Sequence, residues 1–190
     1  MDGTGIRAVL LGAPGSGKGT QAQLLADALG VPAISTGDML RSAVAAGTPL
    51  GLLVQDVMAS GGLVEDSLMT ALVRERLAAD DAVNGFILDG YPRTRAQADT
   101  LAGLLRDRES ALDAVVLLEV SEDTLVRRLL GRGRDDDRDD VVRERLRLYR
   151  EKTEPVVSYY RERGLLRRVN GDQRVSEVTG RLLSVLAVSA

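Results

Sequence analysis

The sequence predicts an α/β fold in which a parallel sheet carries helices on both of its faces. Three observations point there. Short, almost unbroken apolar runs recur along the chain (Ile6 to Leu11, Phe86 to Leu88, Val115 to Val120), as strands buried on both faces require. Segments of helical periodicity separate these runs, and strands alternating with helices call for parallel pairing. The first run ends in a glycine-rich turn that opens a helix. That turn places a candidate site beyond the carboxyl ends of the strands, where open parallel sheets bind ligands.

The elements follow in order. After the glycine-rich turn, Gln21 to Leu29 sets Leu24, Leu25, Ala28 and Leu29 on one helical face, with Gly30 as the stop. Val31 to Ser35 reads as a second short strand. Helical patterns then cover Asp38–Ala46, Leu50–Ala59 and Asp66–Ala79, with Pro49 opening one and Gly61-Gly62 as a break. Phe86 to Leu88 is a central strand, Gln97–Leu105 a helix and Val115–Val120 a strand. Ser121, with Asp123 and Thr124, starts a helix that runs to about Gly131. A long helical stretch from Asp139 to Arg163 is interrupted at Pro155. Leu165–Val169 and Val175–Val188 supply the last strand and helix. With no internal repeat and no linker, the 190 residues form one domain with a sizeable core.

Composition narrows the chemistry. Hydrophobic residues at 44% and charged residues at 28% are ordinary for a globular chain. No apolar run approaches the ~20 residues of a membrane span, and the N-terminus lacks a basic, apolar signal pattern, so no membrane partner is expected. Cysteine and histidine are both absent. Disulfides, thiolate or imidazole metal sites and His-based acid–base catalysis are therefore excluded, and cytoplasmic residence is expected. A formal net charge of −3 argues against a nucleic-acid binder. Arginine is abundant, yet there are only two lysines, Lys18 and Lys152. A compact ammonium and a planar guanidinium are not interchangeable, so a lysine kept in an arginine-rich chain marks a place where the fork does not fit. Lys18 lies in the glycine-rich turn. Lys152, in a solvent-rich helix, carries no such implication.

The turn itself is Gly12-Ala13-Pro14-Gly15-Ser16-Gly17-Lys18-Gly19-Thr20. Its glycines let backbone N–H groups face phosphate oxygens, the helix N-terminus adds positive potential, and Lys18 reaches the outer phosphates. The general pattern puts Ser or Thr directly after the lysine; here Gly19 intervenes before Thr20. This is a nucleotide phosphate site of P-loop NTPase type. The run Asp135-Asp136-Asp137-Arg138-Asp139-Asp140 reads as a solvated loop entering a helix whose N-terminus welcomes acids, or as the stem of a moving lid.

From Leu10 to Gly171 the chain resembles the adenylate kinase family. The loop has that family's form, and Ile34-Ser35-Thr36-Gly37-Asp38-Met39-Leu40-Arg41, Leu63-Val64 and Gly85-Phe86-Ile87-Leu88-Asp89-Gly90-Tyr91-Pro92-Arg93-Thr94 with Gln97 follow in order. Arg128, Arg132, Arg134 and Arg145 match its phosphate-binding arginines. The resemblance implies reversible transfer of a phosphoryl group from MgATP to AMP, giving two ADP. It implies ATP contacts at Gly15, Ser16, Gly17, Lys18, Gly19, Thr20, Arg128, Arg132, Gly171 and Gln173. AMP contacts are implied at Thr36, Arg41, Leu63, Val64, Gly90, Arg93, Gln97, Arg134 and Arg145. Lys18, Arg93, Arg134 and Arg145 would be catalytic, and Asp38 and Asp89 would hold Mg²⁺ through its waters. Residues 35–64 would form a mobile AMP-binding segment and 132–140 a short lid, in a monomer without zinc.

These assignments make physical sense. A guanidinium fork at Arg41 and Arg93 matches phosphate oxygens bidentately. Thr36 and Gln97 offer the donor and acceptor groups that a base edge needs. Arg128 and Arg132, four apart, are expected on one helical face. No general base is needed when the acceptor is already an ionised phosphate. Departures exist: Gly62 and Glu65 flank Leu63-Val64 where the family often has an acidic residue and a proline, and only Gly133 separates Arg132 from Arg134. The nearest rival is a UMP/CMP kinase, which typically has Ala at the position of Thr36 and Asn-type residues near Gln97. A second rival is a regulatory module that binds nucleotide without turnover. It would not need Lys18, Asp89, Arg93 and the lid-side arginines together.

Overall fold

Five strands form one parallel sheet in the order β2-β3-β1-β4-β5. They are β1 (Arg7–Leu11), β2 (Ala33–Ser35), β3 (Phe86–Asp89), β4 (Ala114–Glu119) and β5 (Leu166–Asn170). The architecture comes from a computed structural model that describes residues 5–133 and 137–188. The helices are α1 (Lys18–Leu29), α2 (Thr36–Ala45), α3 (Pro49–Ala59), α4 (Asp66–Leu77), α5 (Arg95–Arg106), α6 (Glu122–Leu130), α7 (Asp139–Leu148), α8 (Glu154–Glu162) and α9 (Val175–Ala187).

Successive strand residues point to opposite faces, and here both faces are apolar. Val9, Leu11, Phe86, Leu88, Val115 and Leu117 face a core built with α2, α4, α5 and α8. Ala8, Leu10, Ile87, Ala114, Val116 and Leu118 face a second core built with α1 and α9. The expected two-sided parallel sheet is thus present. A third, smaller cluster of Leu125, Leu129, Val142 and Leu146 fastens α6 to α7. Among the described residues no single helix is long and apolar enough to cross a membrane.

Three local expectations needed correction. The buried face of α1 is Gln21, Ala22, Leu25 and Ala26, while Leu24 and Leu29 lie at the surface. Two alanines let the helix approach the sheet closely, and Gln21 is turned inward by bonds to Thr179 Oγ1 and the Val175 carbonyl. Size of side chain, used as the guide to burial, pointed to the wrong stripe. Helix α6 ends at Leu130, with Gly131 beyond it, so Arg132 does not share a helical face with Arg128. Glycine resists helical conformation because it loses the most freedom there. The interruption before Pro155 is a π-helical turn, Tyr149–Thr153, that joins α7 to α8. Proline lacks the N–H that would continue the regular ladder, and the backbone widens ahead of it.

Register positions the site. Leu10 pairs with Asp89 and Leu11 with Leu117, so β1 ends in the middle of the sheet, between the tips of β3 and β4. The glycine-rich turn rises from that point. Ser35, at the tip of β2, is the N-cap of α2 and accepts from the Asp38 N–H at 3.3 Å.

Candidate active site

Lys18 is the first residue of α1, entered through Gly17 in the left-handed region (φ 96°). The loop folds back so that the Lys18 Nζ donates to the carbonyl oxygens of Gly12 (2.7 Å) and Ala13 (3.0 Å). Burial pushes this ammonium down to about 8. The Asp89 carboxylate opposes that shift, and the guanidinium groups of Arg93, Arg145 and Arg132 add to it. An incoming polyphosphate would supply the opposite charge that burial withholds and so favour the charged ammonium.

Asp89 caps β3 and reaches the other side of the loop, where its Oδ2 lies 3.5 Å from the position a Gly19 Cβ would take. Thr20 lines the same cleft. A carboxylate beside a hydroxyl is an all-oxygen donor set, which suits a hard cation such as Mg²⁺ and not zinc. Among the described residues no three carboxylates converge as a cation cage. Asp38, the other expected Mg²⁺ residue, stands at the cleft edge with its carboxylate 2.5 Å from the Arg41 guanidinium.

Gly90 follows Asp89 with φ 83°, a region that disfavours side chains. A Cβ there would meet the Thr36 Oγ1 at 2.6 Å and the Arg93 guanidinium at 3.3 Å. The missing side chain lets both approach. Arg93 is anchored by its Nε on the Gly90 carbonyl at 2.8 Å, and burial pulls its pKa below the ordinary arginine value. Thr36 is fully buried, with its hydroxyl on the Asp89 carbonyl at 3.4 Å, and does not line the cleft in this conformation.

The far wall comes from α6 and α7. Arg128 binds the Gly171 carbonyl at 3.0 Å and the Ser16 carbonyl at 3.5 Å, which ties the turn after β5 to the phosphate loop. Gly171 is held by Arg128, neither it nor Gln173 lines the cleft, and Ser16 is buried within the loop. The Gln173 Oε1 is buried without a hydrogen-bond partner among the described residues. Arg145 projects from α7 across Gly61, where a Cβ would fall 2.9 Å from the Arg145 side chain. Arg132 grips Asp137 with both arms of its fork, at 2.5 and 3.0 Å, and Arg145 stands 3.9 Å from the same carboxylate. Asp137 is buried, which corrects the reading of the whole 135–140 run as solvated. Arg134 lies outside the described residues.

The cleft has a volume of about 330 Å³ and opens beside a smaller lobe of about 60 Å³. Gly15, Gly17, Lys18, Thr20 and Arg128 line the first. Val64, Met69 and Gln97 line the second. Arg41, Leu63, Gly90, Arg93 and Arg145 line both, so the arginines stand where the lobes meet. Sequence reasoning missed Gly61, Asp137 and the Tyr149–Thr153 turn, whose Tyr149 and Thr153 also line the cleft. Pro155, just beyond that turn, was the one available signal for it.

Two adjoining lobes with arginines at their junction suit a pair of anionic ligands. The adenylate kinase family model matches residues 10–165. The chain belongs to the adenylate kinase family. It is 52% identical over 185 residues to the adenylate kinase of Xylella fastidiosa (strain 9a5c), with 95% of this chain and 99% of the relative covered. It is 51% identical over 181 residues to the adenylate kinase of Nocardia farcinica (strain IFM 10152), with the same coverage. The adenylate kinase of Mycolicibacterium smegmatis is 50% identical over 181 residues, again with 95% and 99% covered. Each of these family members is covered almost end to end.

Proposed function

We propose that the protein is an ATP:AMP phosphotransferase that converts MgATP and AMP reversibly into two ADP and so balances the adenine nucleotides. The convergence of Arg41, Arg93 and Arg145 where the two lobes meet, with Lys18 on the floor of the larger one, carries this reading. The ATP phosphates would lie on the loop from Gly15 to Thr20, with Arg128 and Arg132 above them and the turn at Gly171 and Gln173 behind. AMP would occupy the smaller lobe, its phosphate on Arg41 and Arg93 and its base against Leu63, Val64 and Gln97. Thr36 would join it once residues 35–64 close over the nucleotide.

Chemistry then needs little beyond position and charge. The AMP phosphate is an ionised nucleophile, so no residue has to remove a proton. Lys18, Arg93, Arg134 and Arg145 would neutralise the oxygens of the migrating group, where charge builds up in the transition state. The oxygens of Asp89, Thr20 and Asp38 fit Mg²⁺ and its waters, and the ion would screen the charge between the phosphates. Water competes for the same phosphoryl group, so closure of residues 35–64 and 132–140 would have to precede transfer. The described residues of the cleft all come from one chain, which suits a monomer, and a chain without cysteine suits the cytoplasm.

Acceptor choice tests the reading. AMP should exceed CMP and UMP in kcat/KM by roughly 10⁴-fold, because a polar site leaves groups unpaired against the wrong base. Comparable efficiencies for AMP and CMP would sink it. Chelation should stop turnover but leave the Tm of the ligand-free protein unchanged.

A further inference from the structure

Gln97 is held at both ends of its carboxamide, and the two holders have fixed polarity. Its Oε1 accepts from the backbone N–H of Arg93 at 2.7 Å, and its Nε2 donates to Asp66 Oδ1 at 2.6 Å. A backbone N–H only donates and a carboxylate only accepts, so the amide has one permitted orientation. Turned over, it would set N–H against N–H at Arg93 and oxygen against oxygen at Asp66. Asp66, in the first turn of α4, is itself fixed by the Thr94 hydroxyl, which donates to Oδ2 at 2.9 Å. Gln97 is almost wholly buried, yet it lines the smaller lobe beside Val64 and Met69. A carboxamide has two lone pairs and two N–H groups, so one of each remains for a ligand there.

Resting on the reading that this lobe takes the acceptor's base, we propose that Asp66 is a specificity-determining residue that acts through Gln97. It locks the carboxamide so that the remaining donor and acceptor match adenine. The exposed edge of adenine offers N1 as an acceptor beside an amino donor. Hypoxanthine and guanine present the reverse, an N1–H donor beside a carbonyl oxygen. A glutamine free to turn over serves either pattern, whereas one held by Asp66 as well as by the Arg93 N–H serves a single pattern. The lock sits on α4, outside the sequence motifs that mark the site, and it joins α4 to the N-terminus of α5.

The experiment compares AMP with inosine monophosphate as acceptor, at saturating MgATP, in the wild type, Asp66→Asn and Asp66→Ala. Asparagine keeps the shape and can bond to Gln97 in either sense, because its own amide can turn with it, so the lock is weakened from two holders to the Arg93 N–H alone. Both variants should lower the AMP-over-IMP ratio of kcat/KM by roughly 10- to 100-fold, the worth of a charge-assisted hydrogen bond. The KM for ATP should stay within about twofold. A merely structural tie between α4 and α5 would lower Tm, most in Asp66→Ala, and leave that ratio where it was. An unchanged ratio in both variants therefore overturns the proposal. A wild type that prefers AMP to IMP, with that preference intact in Gln97→Ala, overturns it too, while leaving the phosphotransferase reading standing. Failure of the wild type to phosphorylate AMP at all would defeat that underlying reading instead.

Discussion

On the floor of the cleft Lys18 donates to the carbonyls of Gly12 and Ala13, whereas on the far wall Arg132 and Arg145 face the carboxylate of Asp137. Both arrangements satisfy hydrogen bonds, but only the second places a carboxylate directly on the cation. Carbonyl dipoles leave the lysine's charge in place, and burial then lowers its pKa to about 8. The carboxylate supplies the opposite sign, so part of the wall's positive charge is offset before any nucleotide arrives. The floor is therefore built to receive an anion directly. The wall must exchange one anion for another.

The largest effects should separate the two sides by what they do to turnover. Arg145 stands at the junction of the lobes, where it would meet charge that peaks in the transition state. Arg145→Ala should lower kcat by ~10³-fold, as for arginines that stabilise a migrating phosphoryl group. ATP affinity measured by equilibrium binding should change far less. Lysine at this position should rescue only partly, since it lacks the fork. Poor ATP binding with normal turnover at saturation would make Arg145 a ground-state anchor and move the catalytic charge to Arg128 and Arg132.

Lys18→Arg probes the floor while keeping its charge. The loop folds tightly around a compact ammonium, with two carbonyls within 3.0 Å, and a planar fork cannot take that place. The variant should fold with an unchanged circular dichroism spectrum and lose ~10²-fold or more in kcat, comparable to loss of one oxyanion donor. Near-normal activity would show that positive charge alone suffices at the floor. The comparison between carbonyl-held and carboxylate-held cations would then lose its meaning.

How much of this was legible in the sequence follows from the same physics. The strands at Arg7–Leu11, Phe86–Asp89 and Ala114–Glu119 announced themselves because both of their faces are buried, which writes an unbroken apolar run. Lys18 announced itself through the scarcity of lysine. Asp137 did not, because an acidic run reads as solvated until the fold shows which carboxylate turns inward to meet Arg132. The inward face of α1 was misjudged because Ala22 and Ala26 fit a close approach that leucine would prevent. Thr36 was legible as a residue of the site segment, but its burial beneath Gly90 depends on a backbone angle that the sequence does not state. Asp66 was invisible for a related reason: its partners lie 28 and 31 residues away.

A pH titration should show the floor's half-neutral character. Above pH 8 the ligand-free enzyme loses the Lys18 proton, while ATP phosphates favour the charged form, so binding must take up a proton. ATP affinity should then fall by about tenfold per pH unit above 8. The kcat at saturation should hold to higher pH, because bound phosphate keeps the proton in place. Stability moves the other way. The unfolded chain keeps this proton up to the ordinary 10.5 and the folded one releases it near 8, so rising pH across that window removes a cost of folding. Affinity that stays flat from pH 7 to 10 would place the Lys18 charge outside ATP binding.

The smallest effect belongs to the carboxylate on the wall. Asp137→Asn keeps the shape and one acceptor oxygen for Arg132 but removes the negative charge that Arg132 and Arg145 share. If that carboxylate stands in for phosphate before ATP arrives, its removal should spare the nucleotide a competitor. The arginines in this pair are partly open to solvent, with 28% of the Arg132 side chain and 18% of the Arg145 side chain exposed. Such ion pairs contribute about 1 kcal/mol or less. ATP should therefore bind up to about fivefold more tightly to Asp137→Asn by equilibrium titration, while the ligand-free Tm falls. A lower Tm alone decides nothing, since any loss of the pair produces it. The direction of the affinity change does decide. Weaker ATP binding would mean that Asp137 holds the two arginines in place for the phosphates, and the wall would then be preformed like the floor, not exchanged.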